Sequence, residues 1–464
     1  MNKILFPFLL ALLSSFTLFG QMEITINIPD KTFDTIRIYG YKDGTQVEQY
    51  AQAFQPTLVF QDKESLETGI YWIMSDSVTL LDAFIISSPK NQRFSVTITD
   101  TGSTFLNSKE NTLYHDYMRK IQEFDNQTAQ LDVEFQQAQQ GGIPQYMMQV
   151  FVDSLMAKAA RISWTKNQYQ LKTAQDNQNY FLSSVIKTNM TAPNPTREQI
   201  KTEEMYQSYV VEHFFDYFPW EDPRIFNTML AENKIKQYCN IIYQLDRPML
   251  DTFVVATLQS AMVNTTSFNT IFDKLEKVIG SHVSPYKVEH TYIRMLETAL
   301  TYPKLEKARR VRYEQELGRI NKNLDGSIVP NFNIVLSNGD TTTLYGIQSE
   351  YLLLYLQHPT CPTCREVRGK MANFSELNQA IASGKLKVLT VYFEGDTAIW
   401  DNFKHSSEAN PAYLHGWNYD LGIEEHNLYD TRTIPFMFLL DKDKRVIRKD
   451  LLWNEIEDYV RRLP

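Results

Sequence analysis

The fold of the C-terminal part of the chain is indicated by two neighbouring features, Tyr351-Leu352-Leu353-Leu354-Tyr355-Leu356 and, after a short turn, Cys361-Pro362-Thr363-Cys364. A run of six mostly apolar residues has the length of a strand buried on both faces. After the cysteines, apolar residues recur at steps of three and four, which predicts a helix with one apolar face: Val367, Met371, Phe374, Leu377 and Ile381. The cysteine pair therefore lies between a buried strand and the start of a helix.

Two thiols at this spacing can form and open a disulfide. Cys361 is predicted at the helix N-terminus, where free backbone N–H groups and the helix dipole favour its thiolate over its thiol. Pro362 suits the first helical position, and Thr363 has a hydroxyl that could donate a hydrogen bond to the thiolate. Cys364, one turn further in, is expected to be less exposed and to act as the resolving thiol.

A C-x-x-C pair is also half of a zinc site, which would need two further ligands. The chain has three cysteines in all, and the third, Cys239, lies more than a hundred residues upstream. A metal would have to recruit histidines such as His358, so the redox interpretation is favoured and no metal site is predicted. Cys239 lies among apolar neighbours and is expected to be a buried, inert thiol.

Further elements follow the cysteine pair in a characteristic order. Strands are predicted at 385–393, 433–441 and 445–448, and helices at 400–404 and 453–463. The strand–CxxC–helix, the Thr433-Ile434-Pro435 triplet before an apolar strand and the LLDKDKRVI hairpin together carry a family resemblance. The segment from about Gly326 to the end resembles the TlpA/ResA-like thioredoxin domains, which are extracytoplasmic thiol-disulfide oxidoreductases of bacteria.

The resemblance implies roles for residues near the motif. In that family the proline matching Pro435 is cis and lies beside the CxxC, where the backbone of the preceding residue, here Ile434, pairs with an extended substrate. The resemblance thus makes Cys361, Cys364 and Pro435 catalytic residues. It makes four neighbours substrate-binding residues: Thr433, Ile434, Pro362 and Thr363.

The chain departs from the family pattern at the proton shuttle. Thioredoxins have a buried acid six residues before the first cysteine, where this chain has Tyr355. ResA-like proteins have a glutamate three residues after the second cysteine, where this chain has Val367. Glu366 and His358 are the candidate shuttles, and the alternatives are a solvated charge and a polar loop residue, respectively.

The N-terminus predicts the compartment. Met1-Asn2-Lys3 and an apolar stretch over residues 4–13 precede small and polar residues up to Gly20, the pattern of a secretory signal peptide over residues 1–20. We expect a periplasmic or otherwise extracytoplasmic protein with no stable membrane insertion. The net charge is −9 and the chain has no basic run, which argues against nucleic acid as a partner.

The length of 464 residues predicts several domains. Short runs alternating apolar and polar residues predict an antiparallel β-sandwich of about seven strands over residues 21–105, and this layout resembles the small β domain that often precedes TlpA-like domains in Bacteroidetes. Residues 106–323 are predicted to form an α-helical domain, which resembles the helical segment of a Bacteroidetes family of uncharacterised proteins that end in a thioredoxin-like domain. Residues 324–464 are predicted to be an α/β thioredoxin-like domain.

The leading hypothesis is an exported thiol-disulfide oxidoreductase, more consistent with a reductase of client-protein disulfides than with an oxidase. It needs no bound cofactor, and the resemblance implies a membrane electron donor that keeps it reduced. The alternative is a cell-envelope binding or assembly protein that uses the thioredoxin fold as a scaffold.

Overall fold

The computed structural model describes residues 22–463 apart from 43, 77–78, 91, 143, 194, 196–199, 201, 243–244, 281–283, 285–287, 433 and 450–452. The predicted signal peptide and Thr433 therefore lie outside the described residues. Packing divides the chain into two compact units, with Leu275 the last residue of the first and Glu276 the first of the second. No helix among the described residues is both long and apolar enough to cross a membrane.

The first unit begins with eight strands. Most of them alternate buried residues with partly buried or exposed ones, because one face of each sheet meets a core and the other meets solvent or helices; β3 is an exception, with nearly all of its residues exposed. Their bounds are β1 Met22–Asn27, β2 Thr35–Lys42, β3 Thr45–Ala53, β4 Thr57–Asp62, β5 Gly69–Ser75, β6 Thr79–Ile86, β7 Gln92–Thr99 and β8 Gly102–Leu106.

These strands form two four-stranded sheets, in the orders β4-β1-β7-β8 and β3-β2-β5-β6. Side chains from both sheets, such as Ile24 of β1 and Ile38 of β2, share one buried cluster. The prediction of an entirely antiparallel arrangement is wrong at one pairing, because β1 and β7 run parallel, with Ile24 opposite Phe94. Alternation along a strand identifies its buried face but not the direction of its neighbour.

Seven α-helices follow among the described residues of the first unit. They are α1 Lys109–Gln137, α2 Gln145–Asp176, α3 Phe181–Asn189, α4 Glu203–Glu212, α5 Met229–Ile242, α6 Arg247–Ala261 and α7 Thr265–Leu275. The turn between α1 and α2 contains Gly141, whose φ of +110° is a conformation that side chains with a Cβ rarely adopt. Gly141 therefore allows the chain to turn between the two long helices.

The described part of the second unit contains seven α-helices and a seven-stranded mixed sheet. The helices before the sheet are α8 Glu289–Leu300 and α9 Lys307–Ile320. The strands are β9 Asn333–Leu336, β10 Thr341–Thr343, β11 Tyr351–Leu356, β12 Leu386–Tyr392, β13 Leu414–Trp417, β14 Phe436–Asp441 and β15 Val446–Lys449, in the order β10-β9-β13-β12-β11-β14-β15. The helices among and after them are α10 Pro362–Asn373, α11 Ser375–Ala382, α12 Thr397–Lys404, α13 Gly422–Glu425 and α14 Trp453–Arg461.

The helix after the cysteines is shorter than predicted. Phe374 has an extended backbone, with φ −87° and ψ 107°, so α10 ends at Asn373 and α11 begins at Ser375. The apolar periodicity nevertheless identified the buried side chains, since Met371 and Leu377 are both fully buried in the same cluster. A kink between two short helices preserves the apolar face, which is why periodicity alone did not reveal it.

Candidate active site

Strand β11 places the cysteine pair at the centre of the sheet. It pairs in parallel with β12 and antiparallel with β14, so it is buried along its length. The chain leaves β11 at Leu356 and enters α10 at Pro362, with the two cysteines at and just after this turn. A central strand with a neighbour on each side fixes the position of the residues that follow it.

Cys361 is the N-cap residue of α10. Its Sγ accepts a hydrogen bond from the backbone N–H of Cys364 at 3.3 Å, and its own N–H donates to the His358 carbonyl oxygen at 3.1 Å. The side chain is partly exposed, and Pro362 occupies the first helical position. A sulfur that accepts a helix N-terminal N–H is stabilised as the thiolate, which is the nucleophilic form.

Cys364 is the inner thiol. Its side chain is 0% exposed and packs in a cluster that includes Tyr355 and Met371. Burial raises the pKa of the Cys364 thiol, and the neighbouring Cys361 raises it further. Both cysteines are free thiols. The pair is thus asymmetric, with one thiol at the surface and one beneath it.

Tyr355 occupies the place behind the pair where thioredoxins have an acid. It is fully buried, and its hydroxyl donates a hydrogen bond to the backbone oxygen of Cys364 at 3.0 Å. Burial raises the pKa of the Tyr355 phenol well above its usual range, so it stays neutral at physiological pH. A neutral phenol that donates to a carbonyl cannot accept the Cys364 proton as a carboxylate would.

Ile434 and Pro435 lie at the edge of the same site. The Ile434–Pro435 peptide bond is cis. Leu356 pairs with Phe436, so the residue before Phe436 reaches the end of β11, where the cysteine turn begins. Ile434 and Cys361 are both partly buried and pack against the same core cluster. Thr433, predicted to bind substrate, lies outside the described residues.

The other predicted site residues lie on the outer side of the turn and helix. Pro362 and Thr363 are exposed. Glu366 is exposed and forms an ion pair with Lys370 at 2.6 Å, which lowers the pKa of the Glu366 carboxyl. Its role as a proton shuttle remains a prediction.

His358 is held by contacts on both ring nitrogens. Nδ1 accepts a hydrogen bond from the Thr360 N–H at 3.2 Å, and Nε2 lies 3.5 Å from a carboxylate oxygen of Glu394. The acceptor role of Nδ1 places the ring proton on Nε2, facing Glu394. A shuttle role for His358 also remains a prediction. Among the described residues, no group of three or more His, Cys, Asp or Glu side chains is arranged to hold a metal ion.

The structure adds a buried cation that the sequence reading missed. Arg368 is 5% exposed and lies four residues after Cys364 on the same helix. Its guanidinium donates to the side-chain oxygen of Gln357 and to a carboxylate oxygen of Glu408. The sequence shows an arginine four residues after the second cysteine. It does not show that this arginine is buried, because its partner Glu408 is 40 residues away and meets it only in the folded chain.

Comparisons with known proteins agree with a thioredoxin-like fold. A family model described as a domain of unknown function, DUF5106, matches residues 165–323. No curated protein matches the chain. A crystal structure of a thioredoxin-like protein from Bacteroides caccae is 27% identical, with a TM-score of 0.53, and the match covers 59% of this chain and 98% of that one.

Two shorter solved structures are also similar. The C-terminal domain of an uncharacterized protein from Bacteroides fragilis is 34% identical with a TM-score of 0.29, covering 30% of this chain and 98% of that one. The thioredoxin domain of a thiol-disulfide oxidoreductase from Bacteroides vulgatus is 18% identical with a TM-score of 0.26, again covering 30% of this chain and 98% of that one. The similarity in fold to a thioredoxin-like protein rests on the Bacteroides caccae structure, which matches over 59% of this chain.

Proposed function

We propose that the protein is an exported thiol-disulfide oxidoreductase that reduces disulfides of client proteins through Cys361 and Cys364. The observation that supports this most directly is the asymmetry of the pair. Cys361 is partly exposed and accepts a helix N-terminal N–H, whereas Cys364 is fully buried one turn below it. This is the arrangement that an attacking thiolate and a resolving thiol require.

The proposed reaction has two exchange steps. The Cys361 thiolate attacks one sulfur of the client disulfide, which forms a mixed disulfide and releases the other client sulfur as a thiolate. Cys364 then loses its proton and attacks Cys361, which forms the Cys361–Cys364 disulfide and releases the second client thiolate. The client gains two electrons and the protein loses two, so an external electron donor must restore the dithiol.

The resemblance to TlpA/ResA-like domains supports export and a donor in the membrane. Ile434 and the cis Pro435, which lie beside the cysteine turn, are the proposed contacts for the client backbone. Exposed Pro362 and Thr363 lie on the surface that a client disulfide would approach. The proposed partners are thus disulfide-bearing clients in the periplasm or another extracytoplasmic space.

The experiment compares the reduction of a protein disulfide by the wild-type chain and by Cys361→Ser, and measures the reduction potential of the wild-type pair in glutathione buffers. Cys361→Ser should lose exchange activity with its circular dichroism unchanged, because the serine hydroxyl caps the helix but cannot exchange sulfur. Cys239→Ala is the matched control and should keep full activity. A potential near or below about −250 mV indicates a reductase, and one near about −120 mV an oxidase.

Two outcomes would contradict the proposal. If the pair forms no disulfide in any buffer, the redox function is wrong. If Cys361→Ser supports normal function in cells, the cysteines are dispensable, and the alternative of an assembly protein with a thioredoxin scaffold gains support.

A further inference from the structure

Arg368 lies beneath the cysteine turn. Residues four apart on a helix are neighbours on one face, so Arg368 follows Cys364 on the buried side of α10. Side chains on a helix point towards its N-terminus, which directs the guanidinium back to the turn that holds the cysteines. Arg368 is 5% exposed, so its charge acts in an environment that screens it weakly.

The guanidinium is fixed to the segment that leads into Cys361. One terminal nitrogen donates to the side-chain oxygen of Gln357, which is itself fully buried, and the other donates to the Pro359 carbonyl oxygen at 3.1 Å. The Phe403 ring lies 5.2 Å from the guanidinium carbon. The charge is therefore held in place on both sides of the turn, by the helix and by the loop.

Among the described residues, Glu408 is the carboxylate that pairs with this charge, and it neutralises the charge in part. Glu408 accepts from Arg368 and also pairs with the exposed Arg365 at 2.9 Å, and its side chain is 37% exposed. The Arg368 Nε–H is buried and has no hydrogen-bond partner among the described residues. A buried cation near a helix N-terminus, incompletely paired, is costly to the fold, and an apolar residue would fill the same space at less cost. The charge of Arg368 is therefore retained in a buried position where it can act on nearby groups.

The charge can act at the step in which Cys364 resolves the mixed disulfide. Cys364 must become a thiolate while buried, and burial raises the pKa of its thiol, whereas a hydrogen bond from the His358 backbone and, to a smaller extent, the charge of Arg368 lower it. The neutral Tyr355 offers no carboxylate to accept the proton. A fixed positive charge one helical turn from Cys364 lowers the free energy of the thiolate and of the transition state in which that sulfur attacks.

We propose that Arg368 is a positioning residue that stabilises the Cys364 thiolate during resolution, and that Glu408 limits this effect by partly neutralising it. This inference rests on the proposed function and assigns a charge to its second step. The two residues should therefore change the rate of that step in opposite directions, a result that loss of packing would not give.

The test separates the two steps with the aromatic disulfide 5,5′-dithiobis(2-nitrobenzoate). The Cys361 thiolate attacks it, forms a mixed disulfide and releases one coloured thiolate. Cys364 then loses a proton and attacks Cys361, which forms the internal disulfide and releases the second coloured thiolate. Stopped-flow absorbance of the full chain records the two releases as two phases, and a Cys361→Ser/Cys364→Ser double variant measures any signal from Cys239.

We expect Arg368→Gln to slow the second phase about three- to tenfold and to leave the first nearly unchanged. The effect is limited because a thiolate of higher pKa is less abundant but more nucleophilic. Arg368→Lys should recover most of the rate, since it keeps the charge. Glu408→Gln should accelerate the second phase about two- to threefold. Lys387→Gln removes a positive charge from an exposed position on β12 and should change neither phase.

The outcomes distinguish the two proposals. A wild-type chain that shows the first phase but never the second would overturn both, because no resolving thiol would then exist. Two normal phases in wild type, with a second phase that is unchanged in Arg368→Gln or slowed in Glu408→Gln, would overturn the role of Arg368 and leave the redox function intact. If Arg368→Gln does not fold, the sign of the Glu408→Gln effect decides.

Discussion

Tyr355 is the residue at which this site departs most clearly from the thioredoxin pattern. A buried phenol replaces an acid, and it donates its hydrogen bond to the Cys364 carbonyl oxygen rather than facing a sulfur as a base. The residue at this position therefore provides no carboxylate to accept a proton in the second exchange step. The neutral Tyr355 and the charged Arg368 are two parts of one electrostatic arrangement around the inner thiol.

Tyr355→Phe tests whether the phenol has only a structural role. It should lower the free energy of unfolding by about 1 kcal/mol, the contribution of one buried hydrogen bond, and change the exchange rate less than about twofold. Tyr429→Phe is the matched control, because Tyr429 is buried and donates to the Pro330 carbonyl oxygen at 2.7 Å away from the cysteines. A tenfold loss of exchange in Tyr355→Phe alone would show that the phenol takes part in proton transfer. Urea unfolding and the two-phase assay supply both measurements.

The sequence predicted the part of the site that is local. Cys361 at the helix start and Cys364 one turn below it follow from a strand, a turn and a periodic helix within about thirty residues. The partners of Arg368 could not be predicted in this way, because Gln357 meets it only when α10 folds back beside the end of β11, and Glu408 only when the loop after α12 reaches α10. Burial of a charge is a property of the folded chain, and no spacing rule gives it.

In the first unit, the first turn of α1 provides hydrogen-bond partners for the backbone of an edge strand. Asn111 is buried, its side-chain oxygen accepts the Ile85 N–H at 2.6 Å, and its amide nitrogen donates to the Ile85 carbonyl oxygen at 3.0 Å. Ile85 belongs to β6, the last strand in its sheet order. One side chain thus satisfies both backbone groups on the open side of an edge strand, where unpaired groups would be costly.

Asn111→Ala should therefore lower the free energy of unfolding of the first unit by about 2–4 kcal/mol, since two buried backbone groups lose their partners. Asn126→Ala, on the exposed side of the same helix, is the matched control and should change it by less than about 0.5 kcal/mol. Urea unfolding followed by circular dichroism measures both. Equal effects of the two substitutions would mean that water satisfies the Ile85 groups and that α1 does not secure the strand.

The elements that the sequence revealed are those with a buried face. Alternating runs at 24–28, 36–41, 57–60, 70–73 and 94–98 predict strands where β1, β2, β4, β5 and β7 are found, and apolar runs predict β11, β12 and β14. Strand β3 was missed because its residues are nearly all exposed and polar, so no pattern of period two is present. The break between α10 and α11 was missed because it preserves the apolar face. The apolar pattern of a sequence reflects which residues are buried. Where all residues of a strand are exposed, or where a break in a helix leaves the apolar face unchanged, the pattern does not reveal the structure.

The packing of α8 and α9 bears on where the C-terminal unit begins. The predicted thioredoxin-like domain starts at residue 324, whereas the second compact unit starts at Glu276 and includes both helices. Lys449 of β15 is buried, and its ammonium donates to the Ile320 and Lys322 carbonyl oxygens and pairs with Glu289 at 3.1 Å. The two helices and the turn after α9 thus provide the partners of a cation on the sheet.

A second cation, Arg432, also has its partner on one of these helices. Arg432, just before the cis proline, donates to both carboxylate oxygens of Glu316 on α9, at 2.8 and 3.2 Å. A bidentate pair of this kind is stronger than an ordinary surface ion pair and fixes the orientation of both groups. The segment that carries Ile434 and Pro435 is therefore connected to α9, and through it the helices contribute to the position of the proposed client contacts.

A fragment of residues 276–464 should consequently be more stable than a fragment of residues 324–464, by about 3 kcal/mol or more, because the shorter one loses the partners of Lys449 and Arg432 and the packing of two helices. The urea midpoints of the two fragments measure the difference, and the two-phase assay on each shows whether the helices also affect the cysteines. Glu316→Gln in the longer fragment is the internal comparison and should lose only the part due to Arg432. Equal midpoints would place the start of the folding unit at the predicted residue 324 and would make α8 and α9 accessory to it.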